Sequence, residues 1–137
     1  MSEIRKHFVS RFKDGNLMEF DFGQIEVVVL AFLSRDRQLI QDIIDGVDMH
    51  VVNAANMYNI SPTSVTKYQR KVAKGCTFQL QYGAGPHSMA KTWKIPVSLA
   101  NRFIDEYYGR YPQVKAWQAN NIKAVKASRW EIGRAHV

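Results

Sequence analysis

Residues 17–22, Leu-Met-Glu-Phe-Asp-Phe, alternate in character, with Met18, Phe20 and Phe22 on one face, which is the pattern of a half-buried strand. Lys13-Asp14-Gly15-Asn16 before it reads as a turn, so residues 8–12 are expected to pair with that strand as a hairpin. The pattern then changes. Gln24 to Leu33 is almost continuously apolar; its valines permit a strand, but its length and lack of breakers favour a buried helix. Arg37 to Ile44 is amphipathic, with Leu39, Ile40, Ile43 and Ile44 on one side and Gly46 as a stop. Asp48 is placed to cap a helix running to Tyr58. Ser61-Pro62 is a start signal, and Val65 to Tyr82 behind it is a long helix, broken by Tyr82-Gly83-Ala84-Gly85-Pro86. A short helix from His87 to Trp93, another from its cap Ser98 to Tyr108, and a last one from Pro112 to Ala127 complete the pass. The sum is one short strand or hairpin and about six helices, with no repeat and no linker that divides domains.

Composition narrows the class. At 137 residues and 15.8 kDa there is room for one domain, and 46% hydrophobic with 23% charged residues is ordinary globular composition. The longest apolar run, Val27 to Leu33, is too short to span a bilayer, and the N-terminus lacks a basic region followed by an apolar core. A single cysteine, Cys76, excludes an internal disulfide framework and a cysteine-rich zinc site. The expected compartment is the cytoplasm, with no membrane partner. Nineteen Lys+Arg against twelve Asp+Glu give +7 and a pI near 9.7, a balance that favours a polyanionic partner.

Two local patterns carry chemistry. The first is Asp21-Phe22-Gly23-Gln24-Ile25-Glu26. A carboxylate where a strand turns into a helix suits a hard cation such as Mg²⁺, which needs one or two carboxylates plus substrate phosphates. Alone it is weak, because an Asp there is more often a helix cap. The second is Arg70-x3-Lys74-x3-Phe78-x3-Tyr82-Gly83. Four-residue steps drift by about 40° each, so these side chains form one slanted stripe, about 18 Å long at ~1.5 Å per residue. Two cations followed by two aromatics is the order needed to grip a nucleotide, with phosphates at the cationic end and the base at the other. Spacing alone leaves open a solvated basic face that ends in core aromatics.

The two patterns together resemble motifs A and B of family A DNA polymerases, the bacterial polymerase I and phage replicative group. Motif A there reads Asp-Tyr-Ser-Gln-x-Glu, and motif B reads Arg-x3-Lys-x3-Phe/Tyr-x3-Tyr-Gly; this chain matches the latter at Arg70, Lys74, Phe78, Tyr82 and Gly83. Asp48-Met49-His50 is similar to the family's Asp-Ile-His. Ile4-Arg5-x2-Phe8 upstream, and Ile95-Pro96 and Tyr108-x-Arg110-Tyr111-Pro112 downstream, fit as well, so the likeness covers residues 4–127. Val27-Val28-Val29 after motif A looks more like a phage than a bacterial enzyme.

The resemblance implies an α+β, mostly helical fold: the start of a right-hand polymerase palm (a short strand or hairpin) plus fingers helices, truncated at both ends. Residues 1–34 would be palm with motif A, and 35–130 mainly fingers with motif B at 70–83. It implies a DNA-directed DNA polymerase using two Mg²⁺ ions, with DNA primer-template and deoxynucleoside triphosphates as partners. Asp21 would ligate both ions and the Phe22 carbonyl would add a ligand. Glu26 would sit under the sugar, exclude a 2′-hydroxyl and hydrogen-bond Tyr82. Gln24 would help bind the nucleotide. His50, Arg70 and Lys74 would hold the triphosphate, with Lys74 also a proton donor to pyrophosphate. Phe78 would stack near base and sugar. The long helix would swing toward the palm on nucleotide binding.

The chain departs from the pattern at Gly23, where the family has Ser, and at Val28, where bacterial members carry Arg. It contains no His-Asp pair, so the family's second palm carboxylate motif is missing, and the chain alone is expected to be inactive without the remainder of the polymerase. Residues 131–137, Glu-Ile-Gly-Arg-Ala-His-Val, resemble one reading-frame translation of a sequencing adapter and are expected to be foreign. Trp93, Trp117, Trp130, Met49, Met57, Met89 and Cys76 read as packing, and Lys115, Lys123 and Lys126 as a solvated face. The competing reading is a non-catalytic helix-turn-helix-like DNA-binding module over residues 50–74, with Lys67, Arg70 and Lys71 toward phosphates. It leaves Asp21 and Glu26 without a role. A related single-subunit RNA polymerase is disfavoured by Glu26.

Overall fold

The computed structural model describes residue 4 and residues 7–18 and 23–128. Among the described residues seven α-helices follow one another: α1 (Ile25–Ser34), α2 (Arg37–Ile44), α3 (Met49–Tyr58), α4 (Lys67–Gln81), α5 (Pro86–Trp93), α6 (Val97–Arg110) and α7 (Pro112–Ser128), with a 3₁₀ turn at Pro62–Ser64 before α4. None is long and apolar enough to cross a membrane.

Local chemistry explains most boundaries. Asp36 and Asp48 cap α2 and α3 through their carboxylates. Thr66 and Gln69 form a reciprocal capping box at the start of α4, so that helix begins at Lys67 and the Ser61-Pro62 signal yields only the 3₁₀ turn before it. Pro112 opens α7 as expected. The cap of α6 is displaced: Pro96, not Ser98, holds that position, and the helix runs from Val97 to Arg110.

The expected strand and hairpin need correction. The turn forms, with Gly15 N donating to Phe12 O at 3.1 Å and Asp14 at φ 62°, but residues 8–18 contain no strand. An isolated two-stranded ribbon needs a further strand or a core to rest on. Phe8, Phe12 and Met18 find neither and lie at the surface. The remainder of the expected strand, residues 19–22, lies outside the described residues. α1 is a helix, but only partly the buried one expected: Val27, Leu30 and Ala31 are covered, whereas Ile25, Val28, Val29, Phe32 and Leu33 are exposed.

The core lies where α3, α4, α5 and α6 meet, and it includes Met57, Val72, Cys76, Met89, Phe103 and Tyr107. Burial pushes the Cys76 thiol up to about 11, which makes it an inert packing residue. Trp93 packs against the same cluster, lying over Gly75 where a β-carbon would collide with its ring. α1 packs chiefly on α2 and α7 instead.

Two carboxylates of α2 join these halves. Asp36 Oδ1 accepts from Leu39 N at 3.0 Å and Oδ2 from Gln113 N at 2.9 Å, so one buried side chain caps α2 and takes a free donor from the first turn of α7. Asp42 accepts from Arg110 Nη2 at 2.8 Å, from Tyr111 Oη at 2.7 Å and from Gln38 Nε2 at 2.8 Å. Burial alone would raise the Asp42 carboxyl, but these donors outweigh it and hold it below the ordinary 3.8.

Because the folded chain holds Asp42 ionised more firmly than the unfolded chain does, its contribution is full above pH ~4 and is lost as pH falls through the depressed value. Acid titration followed by circular dichroism should therefore show stability falling below pH ~4, and Asp42→Ala should lower the unfolding free energy by about 3 kcal/mol at pH 7, by stranding Arg110 and Tyr111. Gly75→Ala should cost about 1–3 kcal/mol in urea denaturation, because the added methyl displaces Trp93.

Candidate functional site

α4 presents two faces. Val72, Ala73, Cys76, Thr77 and Leu80 are buried, and Lys67, Lys71 and Lys74 point to solvent. Arg70 and Phe78 lie between the two, half-buried, and Tyr82 is the C-cap. The helix ends in a Schellman motif: Ala84 N donates to Gln79 O at 2.9 Å and Gly83 N to Leu80 O at 3.0 Å, with Gly83 at φ +79°. The Tyr82-Gly83 pair thus has a backbone reason, since the glycine takes the left-handed position and leaves Tyr82 at the helix end, 78% exposed.

Opposite this helix stands the start of α1. Between them lies a cleft of about 280 Å³ lined by Gln24, Ile25, Glu26, Val27, His50, Lys74 and Phe78. The structure therefore brings together Gln24, Glu26, His50, Lys74 and Phe78, which come from three separate stretches of sequence. Tyr82 Oη donates to Glu26 Oε1 at 3.1 Å, the hydrogen bond expected between these two residues. That bond, with the charge of Glu26, raises the Tyr82 phenol above its ordinary 10. Lys74 Nζ stands 5.7 Å from the Phe78 ring centroid, and the His50 and Phe78 rings are tilted at 45° with centroids 6.2 Å apart.

His50 is buried, and its Nδ1 has no hydrogen-bond partner. Burial pushes its pKa down from 6.5; Asp48 opposes this, and Lys74 and Arg70 add to it. The imidazole is accordingly neutral at pH 7, beside two cations. Arg70 is placed by Asp48, its Nε donating to Asp48 Oδ2 at 2.8 Å. Asp48 is the member that sequence reasoning read only as a cap. Its place in Asp48-Met49-His50 was the available signal.

Asp21 and Phe22, the expected metal ligands, lie outside the described residues. Among the described residues no group of three or more His, Cys, Asp or Glu side chains could hold a metal ion. Both carboxylates near the cleft are engaged, Glu26 with Tyr82 and Asp48 with Arg70. A β-carbon at Gly23 would meet nothing within 4 Å, so the position has room for the family's Ser.

Residues 1–131 match the sequence model of DNA polymerase family A. The chain belongs to that family. DNA polymerase I, thermostable, of Thermus thermophilus is 38% identical over 114 residues, which is 83% of this chain and 14% of the relative. DNA polymerase I of Caldicellulosiruptor bescii is 36% identical over 121 residues, 88% of this chain and again 14% of the relative. The POL domain of Pol1 from M. smegmatis, solved in complex with DNA primer-template and dNTP, superposes with a TM-score of 0.68 at 27% identity, covering 79% of this chain and 19% of that one. The chain thus spans about one seventh of the length of these curated relatives.

The His50 imidazole should titrate below 6.5 when its ring protons are followed by NMR. With the folded value depressed, the stability gained by keeping it neutral is full above pH 6.5 and declines as pH falls through the lowered value. An imidazole titrating at or above 6.5 contradicts its burial among cations.

Proposed function

We propose that this chain is the nucleotide-binding part of a DNA-directed DNA polymerase, a nucleotidyltransferase that extends a primer against a template with deoxynucleotides. The observation that carries the reading is the cleft that gathers Gln24, Glu26, His50, Lys74 and Phe78. Lys74 and the neutral imidazole both lie beside the Phe78 ring, with Arg70 one turn earlier on α4. In this reading Arg70, Lys74 and His50 hold the triphosphate, and Phe78 packs against the base and sugar. Glu26, fixed by Tyr82, stands where a ribose 2′-hydroxyl would have to enter, which selects deoxynucleotides. Gln24 contacts the nucleotide from the other wall, and Lys74 supplies a proton to the departing pyrophosphate.

The expected cofactor is Mg²⁺, held as two ions by Asp21, the Phe22 carbonyl and a second carboxylate motif from the remainder of the polymerase; bound there, the ions neutralise charge on the reacting oxygens. Among the described residues no group of three or more His, Cys, Asp or Glu side chains could stand in for that second motif, so the chain by itself should not polymerise. Residues 1–34 belong to the palm and 35–130 mainly to the fingers, with 131–137 foreign. The exposed face of α1, Val28, Val29, Phe32 and Leu33, is the surface the rest of the palm would cover. Primer-template and triphosphate are the partners, as the M. smegmatis complex supports, and the cytoplasm is the compartment.

The helix-turn-helix alternative fits less well. Residues 59–66 separate α3 from α4, twice the three- or four-residue turn such a motif uses. Calorimetry with deoxyadenosine triphosphate and Mg²⁺ should show binding that weakens about tenfold in Arg70→Ala and in Lys74→Ala, a loss of ~1.4 kcal/mol each. Duplex binding without any triphosphate response, sensitive mainly to Lys67 and Lys71, would favour the alternative.

A further inference from the structure

Asp48 divides its two oxygens between two elements. Oδ1 accepts from His50 N at 3.1 Å and from Val51 N at 3.2 Å, which caps α3. Oδ2 accepts from Arg70 Nε at 2.8 Å, in the first turn of α4. A single carboxylate therefore sets where α3 begins, and with it His50, and at the same time anchors the guanidinium of Arg70. No partner engages the Arg70 Nη groups among the described residues, and the side chain remains 44% exposed. A guanidinium can offer two parallel N–H donors from its Nη edge to one phosphate group. An arginine without an anchor has many rotamers to give up when it binds. Holding Nε beforehand removes part of that loss and aims the free edge.

We propose that Asp48 is a positioning residue for the phosphate chain of the nucleotide, acting through Arg70 and His50. This rests on the nucleotide-binding reading given above. The negative charge of Asp48 opposes an incoming anion, but the pair is largely open to solvent and screened at physiological salt, so alignment outweighs repulsion. The contribution is specific to the polyphosphate end, because neither Phe78 nor Gln24 is held by Asp48.

The test compares Asp48→Asn with the unaltered 137-residue chain. Asparagine is an equally good N-cap and removes only the charged acceptor. Calorimetry with Mg²⁺ and deoxyadenosine triphosphate should show binding about fivefold weaker, with affinity for deoxyadenosine monophosphate and the thermal midpoint little changed. In an Arg70→Ala background, Asp48→Asn should have no further effect; a purely capping role predicts no loss in either background, because asparagine keeps the cap. Asp48→Ser, a second capping substitution, should reproduce the result and serves if the asparagine variant misfolds. Triphosphate binding by Asp48→Asn equal to or tighter than that of the unaltered chain, while Arg70→Ala still loses it, overturns the positioning role and leaves the nucleotide site standing. No triphosphate binding by the unaltered chain, or binding indifferent to Arg70→Ala, overturns both.

Discussion

The cleft has two walls that are braced separately, and the geometry of the site depends on how those braces are joined. One wall is α4, packed among α3, α5 and α6; the other is the start of α1, packed on α2 and α7. The chain passes between the two sets twice, from α2 to α3 and at the bend between Arg110 and Pro112, where α6 ends and α7 begins. The carboxylate of Asp42 sits against that bend and engages both Arg110 and Tyr111, while Asp36, at the N-cap of α2, holds the first turn of α7. A buried carboxylate with all its donors in place tolerates little displacement, since any shift leaves a charge or a hydroxyl unmatched in a poorly solvated place. The angle between the walls is thereby tied to hydrogen bonds outside the cleft. Across the cleft itself Tyr82 donates an exposed hydrogen bond to Glu26.

Within the first wall the direction of α4 is set by close packing. Trp93 rests on the backbone at Gly75, so α5 approaches α4 more closely than a side chain would allow. The capping box fixes where α4 begins and the Schellman turn where it ends. With both ends and one face determined, the stripe from Arg70 to Tyr82 has one orientation left. Lys74 and Phe78 of that stripe face the cleft because the opposite face is committed to the core.

Much of this was legible in the sequence, for reasons that differ between elements. α2, α3, α5 and α7 declare themselves by local chemistry: a carboxylate, a proline or a glycine at the boundary and an apolar period between. The stripe from Arg70 to Tyr82 was legible because four-residue spacing is a property of the helix itself. The family resemblance then joined it to Glu26 and His50, which spacing could not have done. The hairpin was misread because alternation reports a face to be buried and says nothing about whether anything lies there to bury it. The partners of Asp36 and Asp42 are some seventy residues away in the chain, beyond the reach of any local pattern. Asp48 was visible as a cap, but its second oxygen was not: a sequence shows that a carboxylate is present and not how its two lone-pair sets are divided.

The cleft is also where the chain departs from its own folding rules. Five non-glycine residues among those described have positive φ, and four of them, Asp14, Arg35, Asn59 and Lys94, lie in a turn or just past the end of a helix, where the left-handed conformation is common. Gln24 is different: it stands at the start of α1 with φ 56°, where an N-cap ordinarily has extended backbone, and its side chain makes no capping bond. Such a residue costs of order 1 kcal/mol or more to hold. In the same cleft His50 is buried with an unmatched nitrogen, and the free edge of Arg70 is close enough for its charge to bear on that imidazole. The backbone at Gln24 and the unmatched nitrogen of His50 are each unfavourable for folding on their own, and both residues line the same cleft. A ligand that accepts hydrogen bonds from Arg70 and carries negative charge past Lys74 would turn these costs into binding energy. Selection for fold stability alone gives no reason for them to share one cleft.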